Sequence, residues 1–397
     1  MSQVTQHLVR DWLLVALLWP LMALPLSGVG SAAAQDSVSI SHRVASRGRP
    51  SIFQAWNPAS NLQKESAEHT EGRHDLLFHD AGFFWLHWNH RHHGLATGFT
   101  DESIANARRR RERLLKRNPN MVLLCEIRYR DAHRSYLPED HEWWMRDEHR
   151  KRIVGWAEGE YFLLDFQNAA FRKHVVNQAV AAVRSRVVDG VMLDWWREDD
   201  ARVALVREIR AAIGNDALIL VNSNDRQAPR SAKYINGLYM ECYRSESPKD
   251  WSRIVSTLSW AEKHLREPRI NCVETWFKMS RKDLRKMRAT TTLVLTHSDG
   301  YALFSDPNEL PTPDHLHDWY DFWDAPLGKP LNSPVQQLES ATVRKFENGV
   351  AVYNPLGGNT VTIELAATHR SIHSGMQGRK HRIAPGDGDL LIRSEEE

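Results

Sequence analysis

Asp189-Gly190-Val191-Met192-Leu193-Asp194-Trp195-Trp196 lies between two amphipathic helical runs. A short apolar run in that setting reads as a strand of a parallel sheet. The two-residue period puts Met192, Asp194 and Trp196 on one face and Val191, Leu193 and Trp195 on the other. A carboxylate that closes such a strand is costly when buried without a partner. At the C-terminal rim of a barrel, where the active sites of that fold lie, it is useful. Helix capping is the competing use of Asp194. Glu198, Asp199 and Asp200 stand closer to the next helix and serve that purpose better. Asp194 is therefore read as functional.

The same alternation recurs on both sides. Residues 51–56 read as the first strand, followed by a polar, weakly helical stretch to Asp80. The aromatic run 83–88 reads as the second. Thr100-Asp101-Glu102 supplies a cap and first-turn acids for a helix that ends near Asn118-Pro119. Its arginines, 108–111, are expected to form a solvated outer face. Residues 121–127 read as the third strand. The loop to about Glu160 is long enough to be functional, and Trp143, Trp144 and Trp156 suggest an ordered cleft wall. An accessory strand over 161–165 leads into a helix over 169–186.

After the Asp194 strand come a helix over 201–213 and strands over 218–221 and 237–241. A helix over 248–266, a strand over 269–274, a helix over 281–292 and a strand over 301–304 follow. A helix over 313–323 closes the series. Eight strands, mostly followed by helices, predict an α/β chain with a (β/α)8 TIM barrel over residues 50–330. A doubly wound open sheet competes, but no Gly-rich phosphate fingerprint follows the first strand. From 331 to 397 the texture changes to short alternating runs between Asn-Gly, Pro and Gly-Gly turns. These predict a small antiparallel, sandwich-like β domain with a frayed acidic end.

A chain of 397 residues suits one large domain and a small one. Its net charge of +2, from 52 basic and 50 acidic residues, predicts no nucleic-acid partner. Fifteen tryptophans tilt the reading towards carbohydrate, because aromatic faces also stack on sugar rings. Arg10, the apolar run 12–26 and Ala32-Ala33-Ala34 before Gln35 resemble a secretory signal over 1–34, with a linker over 35–49. The run is short for a membrane span and is interrupted by Pro20 and Pro25. An uncleaved anchor is the alternative. Either way the domain is expected to be secreted or periplasmic, with no membrane partner once the signal is cleaved. Cys125, Cys242 and Cys272 read as buried thiols, with a Cys242–Cys272 bridge as the alternative.

Several of these strands finish on an acid: Glu126, Asp194, Glu241 and Glu274, with Asp306 after the eighth. In a barrel they converge on one rim. Paired carboxyls are what glycoside hydrolysis needs: one protonates the leaving oxygen while the other attacks the anomeric carbon or activates water. Like charges held together push one of the two pKa values up. A salt bridge to a rim Arg such as Arg128, Arg197 or Arg244 is the plainer use of any one acid.

The stretch 189–194 is similar to the fourth-strand motif of secreted TIM-barrel glycoside hydrolases, among them the polygalactosaminidase-like enzymes and the α-galactosidase clan. Leu164-Asp165-Phe166, the segment from His317-Asp318-Trp319-Tyr320 to Leu327-Gly328-Lys329-Pro330, and the run from Arg344 to Pro355 add to the likeness. Together they resemble the "hypothetical glycosyl hydrolase" families over roughly residues 50–395. The resemblance implies a glycosidase with the fourth-strand Asp as nucleophile or base and a sixth-strand acid as proton donor. The matching residues are Asp194 and Glu241. Glu274 ranks third, because another clan keeps its nucleophile on the seventh strand, though with Glu on the fourth.

Around these acids, Tyr239 and Tyr243 share Glu241's face. Trp56, Trp195, Trp196 and Trp276 are candidate stacking platforms; core packing is the alternative for each, and above all for Trp195, which the period points to the helix side. Glu126, Arg128, Asn222 and Asp306 complete the expected substrate contacts. No cofactor is expected. The cluster His87-Trp88-Asn89-His90-Arg91-His92-His93 raises a metal-dependent barrel hydrolase as one alternative. Later strands lack further ligands, so the cluster reads as a rim loop. A carbohydrate-binding pseudoenzyme is the other alternative. No Ser or Cys nucleophile arrangement is visible.

Overall fold

Eight short, largely apolar segments form parallel strands. They are β1 (Phe53–Ala55), β2 (Leu76–His79), β3 (Val122–Glu126), β4 (Gly190–Leu193), β5 (Leu218–Asn222), β6 (Gly237–Cys242), β7 (Cys272–Trp276) and β8 (Tyr301–Ser305). Each pairs with the next in chain order. A parallel bridge from Ile52 to Ala302 brings the first back to the eighth, so the sheet nearly closes into the expected barrel. The structure is a computed structural model that describes residues 38–62, 64–157, 159–276, 281–305, 315–333 and 335–394.

The helices are α1 (Ile40–Ser46), α2 (Ala67–Gly72), α3 (Asp101–Arg117), α4 (Ala169–Arg184), α5 (Asp200–Ile213), α6 (Pro248–His264) and α7 (Leu284–His297). Thr100, Asn168, Asp199 and Asp283 cap α3, α4, α5 and α7 by accepting first-turn N–H groups. Ser247 and Asp250 form a capping box on α6. Asp199 performs the capping that Asp194 was the alternative for.

The β4 motif divides its labour. Asp189 is buried and ion-paired to Arg43 of α1 and Arg111 of α3, and it accepts the Leu123 N–H. Burial alone would raise its pKa, but Arg111 and Arg43 hold it below the ordinary value. A Cβ on Gly190 would lie 2.1 Å from the Leu218 carbonyl oxygen, so β5 can pack this closely only against glycine. Val191, Met192 and Leu193 are core, and Asp194 emerges at the rim.

Four expectations about residues 35–330 are corrected. The second strand is Leu76–His79, in register with β1 through Phe53 and Leu76. The aromatic run 83–88 is instead a turn, in which Trp85 is left-handed at φ 65° and exposed while Phe84 and Leu86 are buried. The arginines of α3 are not simply solvated. Arg110 is buried against Glu71 at 2.6 Å, and Arg111 reaches Asp189. The stretch 35–49 holds α1, because Arg43 has a buried partner in Asp189. Of the helix expected over 313–323, residues 313 and 314 lie outside the described residues. The remainder has only a 3-10 turn at Asp321–Asp324.

The C-terminal strands are β9 (Gln336–Leu338), β10 (Ala341–Phe346), β11 (Gly349–Asn354), β12 (Val361–Ser371), β13 (Gln377–Ile383) and β14 (Asp387–Arg393). Where a sandwich-like domain was expected, they form one antiparallel sheet in the order β9-β10-β11-β14-β12-β13. Alternation sends Ala351, Tyr353 and Leu390 into the barrel's core, while Val350, Val352 and Leu391 join a second cluster. Arg288 of α7 makes a double hydrogen bond to Asp387, at 2.9 and 2.8 Å, which ties the sheet to the barrel. Residues 39–397 accordingly form one compact unit. The three cysteines are free and buried. Among the described residues no helix is long and apolar enough to cross a membrane.

Candidate active site

The parallel register sets Leu193 beside Val221 and so carries Asp194 level with Asn222 at the end of β5. Asn222 in turn pairs with Tyr239, two residues before Glu241. One side-chain nitrogen, Asn222 Nδ2, donates to Asp194 Oδ1 at 2.8 Å and to Glu241 Oε2 at 2.6 Å. The nearest oxygens of the two carboxyls therefore stand no farther apart than those two bonds laid end to end. Asp194 is half-buried, and the Glu241 side chain is 16 % exposed.

Glu241 sits where a proton is held. Burial pushes its pKa up to about 8, with Asp194 and Glu274 adding to the rise and His315 and Asn222 opposing it. Glu274, its register partner on β7, is in a different situation. Its carboxylate is fully buried and accepts hydrogen bonds from the hydroxyls of Tyr239 and Ser305. His315 Nδ1 lies 3.0 and 2.8 Å from its two oxygens. Burial alone would raise the Glu274 pKa, but His315 and the two hydroxyls bring it below the ordinary value. Both oxygens of Glu274 are thus engaged by protein groups. The far nitrogen of the same imidazole, His315 Nε2, lies 3.9 Å from Glu241 Oε1.

On the other side of Asp194 a small recess is lined by Glu126, Arg128, Arg130, Asp131, Asp194 and Trp195. Glu126 accepts the Trp56 indole N–H at 2.9 Å and pairs with Arg128 at 3.1 Å. Burial raises its pKa, Arg128 lowers it, and Asp194 raises it further. Trp56 packs on His315 with ring centroids 4.7 Å apart, so it braces the site more than it offers a free face. Trp56, Trp195 and Asn224 are all left-handed, at φ 49°, 53° and 53°, where β1, β4 and β5 end. Non-glycine residues in that region concentrate at functional sites.

That geometry reverses one expectation. Trp196, expected to be a stacking platform, is 1 % exposed and donates its indole N–H to Ser231. Trp195, for which packing on the helix side was the alternative to a platform, is 50 % exposed at the rim, with the Arg130 guanidinium over its ring at 4.6 Å. The strand ends at Leu193, so the period-2 count fails beyond it. Tyr239 points inward to Glu274, whereas Tyr243 is exposed at the rim, 6.4 Å from the Trp276 ring. Trp276 also packs edge-on to His315. Asp306 lies outside the described residues.

Sequence reading missed His315, Arg130 and Asp131. They sit in irregular segments, where no periodicity aims a side chain. Among the described residues no three His, Cys, Asp or Glu side chains converge to hold a metal ion. A larger groove of about 600 Å³ is lined by Arg230, Lys233, Trp260 and His264. These residues precede β6 and end α6, away from the Asp194–Glu241 pair in the chain.

Residues 197–350 match the profile of hypothetical glycosyl hydrolase family 15, a stretch that begins just after Asp194 and includes Glu241 and Glu274. No curated protein matches the sequence. Among solved structures, an α-amylase from Malbranchea cinnamomea aligns at a TM-score of 0.51 and 10 % identity, over 90 % of this chain and 98 % of its own. A maltogenic α-amylase from Thermotoga neapolitana aligns at 0.47 and 12 %, over 86 % and 97 %. An α-amylase from Geobacillus thermoleovorans, solved with acarbose, aligns at 0.49 and 10 %, over 82 % and 89 %. The likeness to the first of these concerns the fold alone. The resemblance to the hypothetical glycosyl hydrolases thus holds over residues 197–350, where the family profile supports a glycosidase, and the solved structure supports the TIM-barrel fold.

Proposed function

We propose that the chain is a secreted glycoside hydrolase that cleaves O-glycosidic bonds of a poly- or oligosaccharide with retention of configuration. Asp194 attacks the anomeric carbon as Glu241 gives its proton to the departing oxygen. Water then adds to that carbon, loses a proton to Glu241 and displaces Asp194. The observation that carries this reading is the single Asn222 nitrogen bonded to both carboxyls. The oxygen spacing this permits fits the about 5–5.5 Å of retaining enzymes and not the about 6.5–9.5 Å of inverting ones. A protonated Glu241 beside Asp194 gives the two acids opposite roles at neutral pH.

Trp195 and Tyr243 are the exposed aromatic faces for sugar rings, with Glu126, Arg128 and Arg130 as polar contacts. Secretion is supported by Arg10, the apolar run 12–26 and Ala32-Ala33-Ala34. The test is release of reducing ends from a panel of bacterial and plant polysaccharides, with proton NMR of the first anomer formed. Hydrolysis with the anomer retained is expected. Binding without turnover across the panel would replace the enzyme with a carbohydrate-binding protein.

A further inference from the structure

We infer that His315, oriented by Glu274, is a positioning residue that governs when Glu241 holds its proton. This rests on the acid and base roles of Glu241 proposed above and adds a partner to them. The arrangement is linear. Glu274 engages Nδ1 of the imidazole at 2.8 and 3.0 Å, and Nε2 of the same ring points to Glu241 Oε1 at 3.9 Å. A carboxylate at Nδ1 fixes the ring's orientation and favours its charged form. The ring cannot swing away, because Trp56 packs on it with centroids 4.7 Å apart and Trp276 meets it edge-on at 5.8 Å. His315 itself is almost wholly buried.

Among the described residues, three further groups face this pair. Tyr239 OH lies 3.1 Å from His315 Nδ1 and donates to Glu274. Ser305 donates to the other Glu274 oxygen. Asp194 faces Glu241 through Asn222. His315 is thus the cation within reach of Glu241 among these groups, and Asp194 and Glu274 are the anions. Proton release from Glu241 is opposed by both anions and by burial, and a charged His315 offsets them. A retaining hydrolase needs that balance, since the same carboxyl must give a proton in one step and take one in the next. Glu274, ranked third as a catalytic acid from sequence, acts here through His315.

The test titrates Glu241 directly, in full-length protein carrying carboxyl-13C glutamate, with its resonance assigned by loss in Glu241→Gln. The wild-type resonance is expected to change near pH 8. In His315→Gln the midpoint is expected to rise by about one pH unit. In Glu274→Gln two effects oppose each other, because the ring loses the anion that orients it while Glu241 loses a repelling charge, so a smaller shift than in His315→Gln is expected. Circular dichroism confirms that each variant is folded, and His315→Gln, or His315→Asn where the first does not fold, decides the matter. A midpoint that stays in place would overturn the inference. No substrate enters the experiment, so its outcome is separate from whether the chain hydrolyses glycans.

Discussion

An Asn222→Ala exchange removes the one amide that touches both Asp194 and Glu241. Loss of such positioning costs about 10²-fold in rate. The expected result is a fall of that size in kcat with little change in KM and an unchanged circular dichroism spectrum. Full kcat would mean that other groups hold the pair. Glu241 also carries a stability cost. Its folded pKa of about 8 lies above the ordinary carboxylate range. As pH rises from about 4.5 to 8, the unfolded chain gives up this proton while the folded chain keeps it, so stability is lost through that window and does not return above it. Glu241→Gln removes the loss, and its midpoint of thermal unfolding should exceed the wild-type value at pH 8.5 and match it at pH 4. That Asp194 and Glu241 meet at the rim was legible in the sequence, because both stand where parallel strands of one barrel finish. The surroundings of Glu274 and His315 were not, since they depend on which hydroxyls and rings the folded rim brings together. The exchange of Trp195 for Trp196 has a single local cause, a left-handed residue where the strand stops.

The motif that opens β4 makes its predictions at the scale of the element. Gly190→Ala would force its new methyl group against the Leu218 carbonyl, and backbone on a central strand cannot retreat cheaply. The variant is expected to be insoluble or to melt far below wild type; a wild-type melting temperature would contradict the close approach. Asp189→Asn leaves Arg43 and Arg111 beside a neutral amide in a buried setting. Breaking a buried pair from one side costs about 3–5 kcal/mol, to be read from chemical denaturation. Most elements were readable because caps and apolar periods agree, as they do for α3, α5 and α6. β2 was misplaced because three apolar residues give too short a pattern, while the neighbouring aromatic run imitates a strand. β13 escaped notice for the opposite reason. Its sequence is polar, and its pairing with β12 rather than its composition makes it a strand.

At the scale of the whole molecule, barrel and C-terminal sheet are one folding unit. α7 is buried along nearly its whole length, and Arg288, Thr292 and Leu295 of that helix meet Asp387, Gly388 and Arg344 of the sheet. Ending the chain at residue 330 would uncover that face and leave Arg288 without its carboxylate. The shortened protein is expected to aggregate or to lose its cooperative unfolding transition, and a monomeric, cooperatively melting fragment would show two independent domains. The central claim concerns the pair at the rim. Its most direct measurement is the initial rate of reducing-end release by wild type, Asp194→Asn, Glu241→Gln and Glu274→Gln on the best substrate of the polysaccharide panel. Losing a general acid or base costs about 10²–10⁴-fold. The account predicts losses of at least that order for Asp194→Asn and Glu241→Gln, with a smaller loss for Glu274→Gln. Full activity in Glu241→Gln, with activity abolished in Glu274→Gln, would contradict it and move the proton donor to the seventh strand.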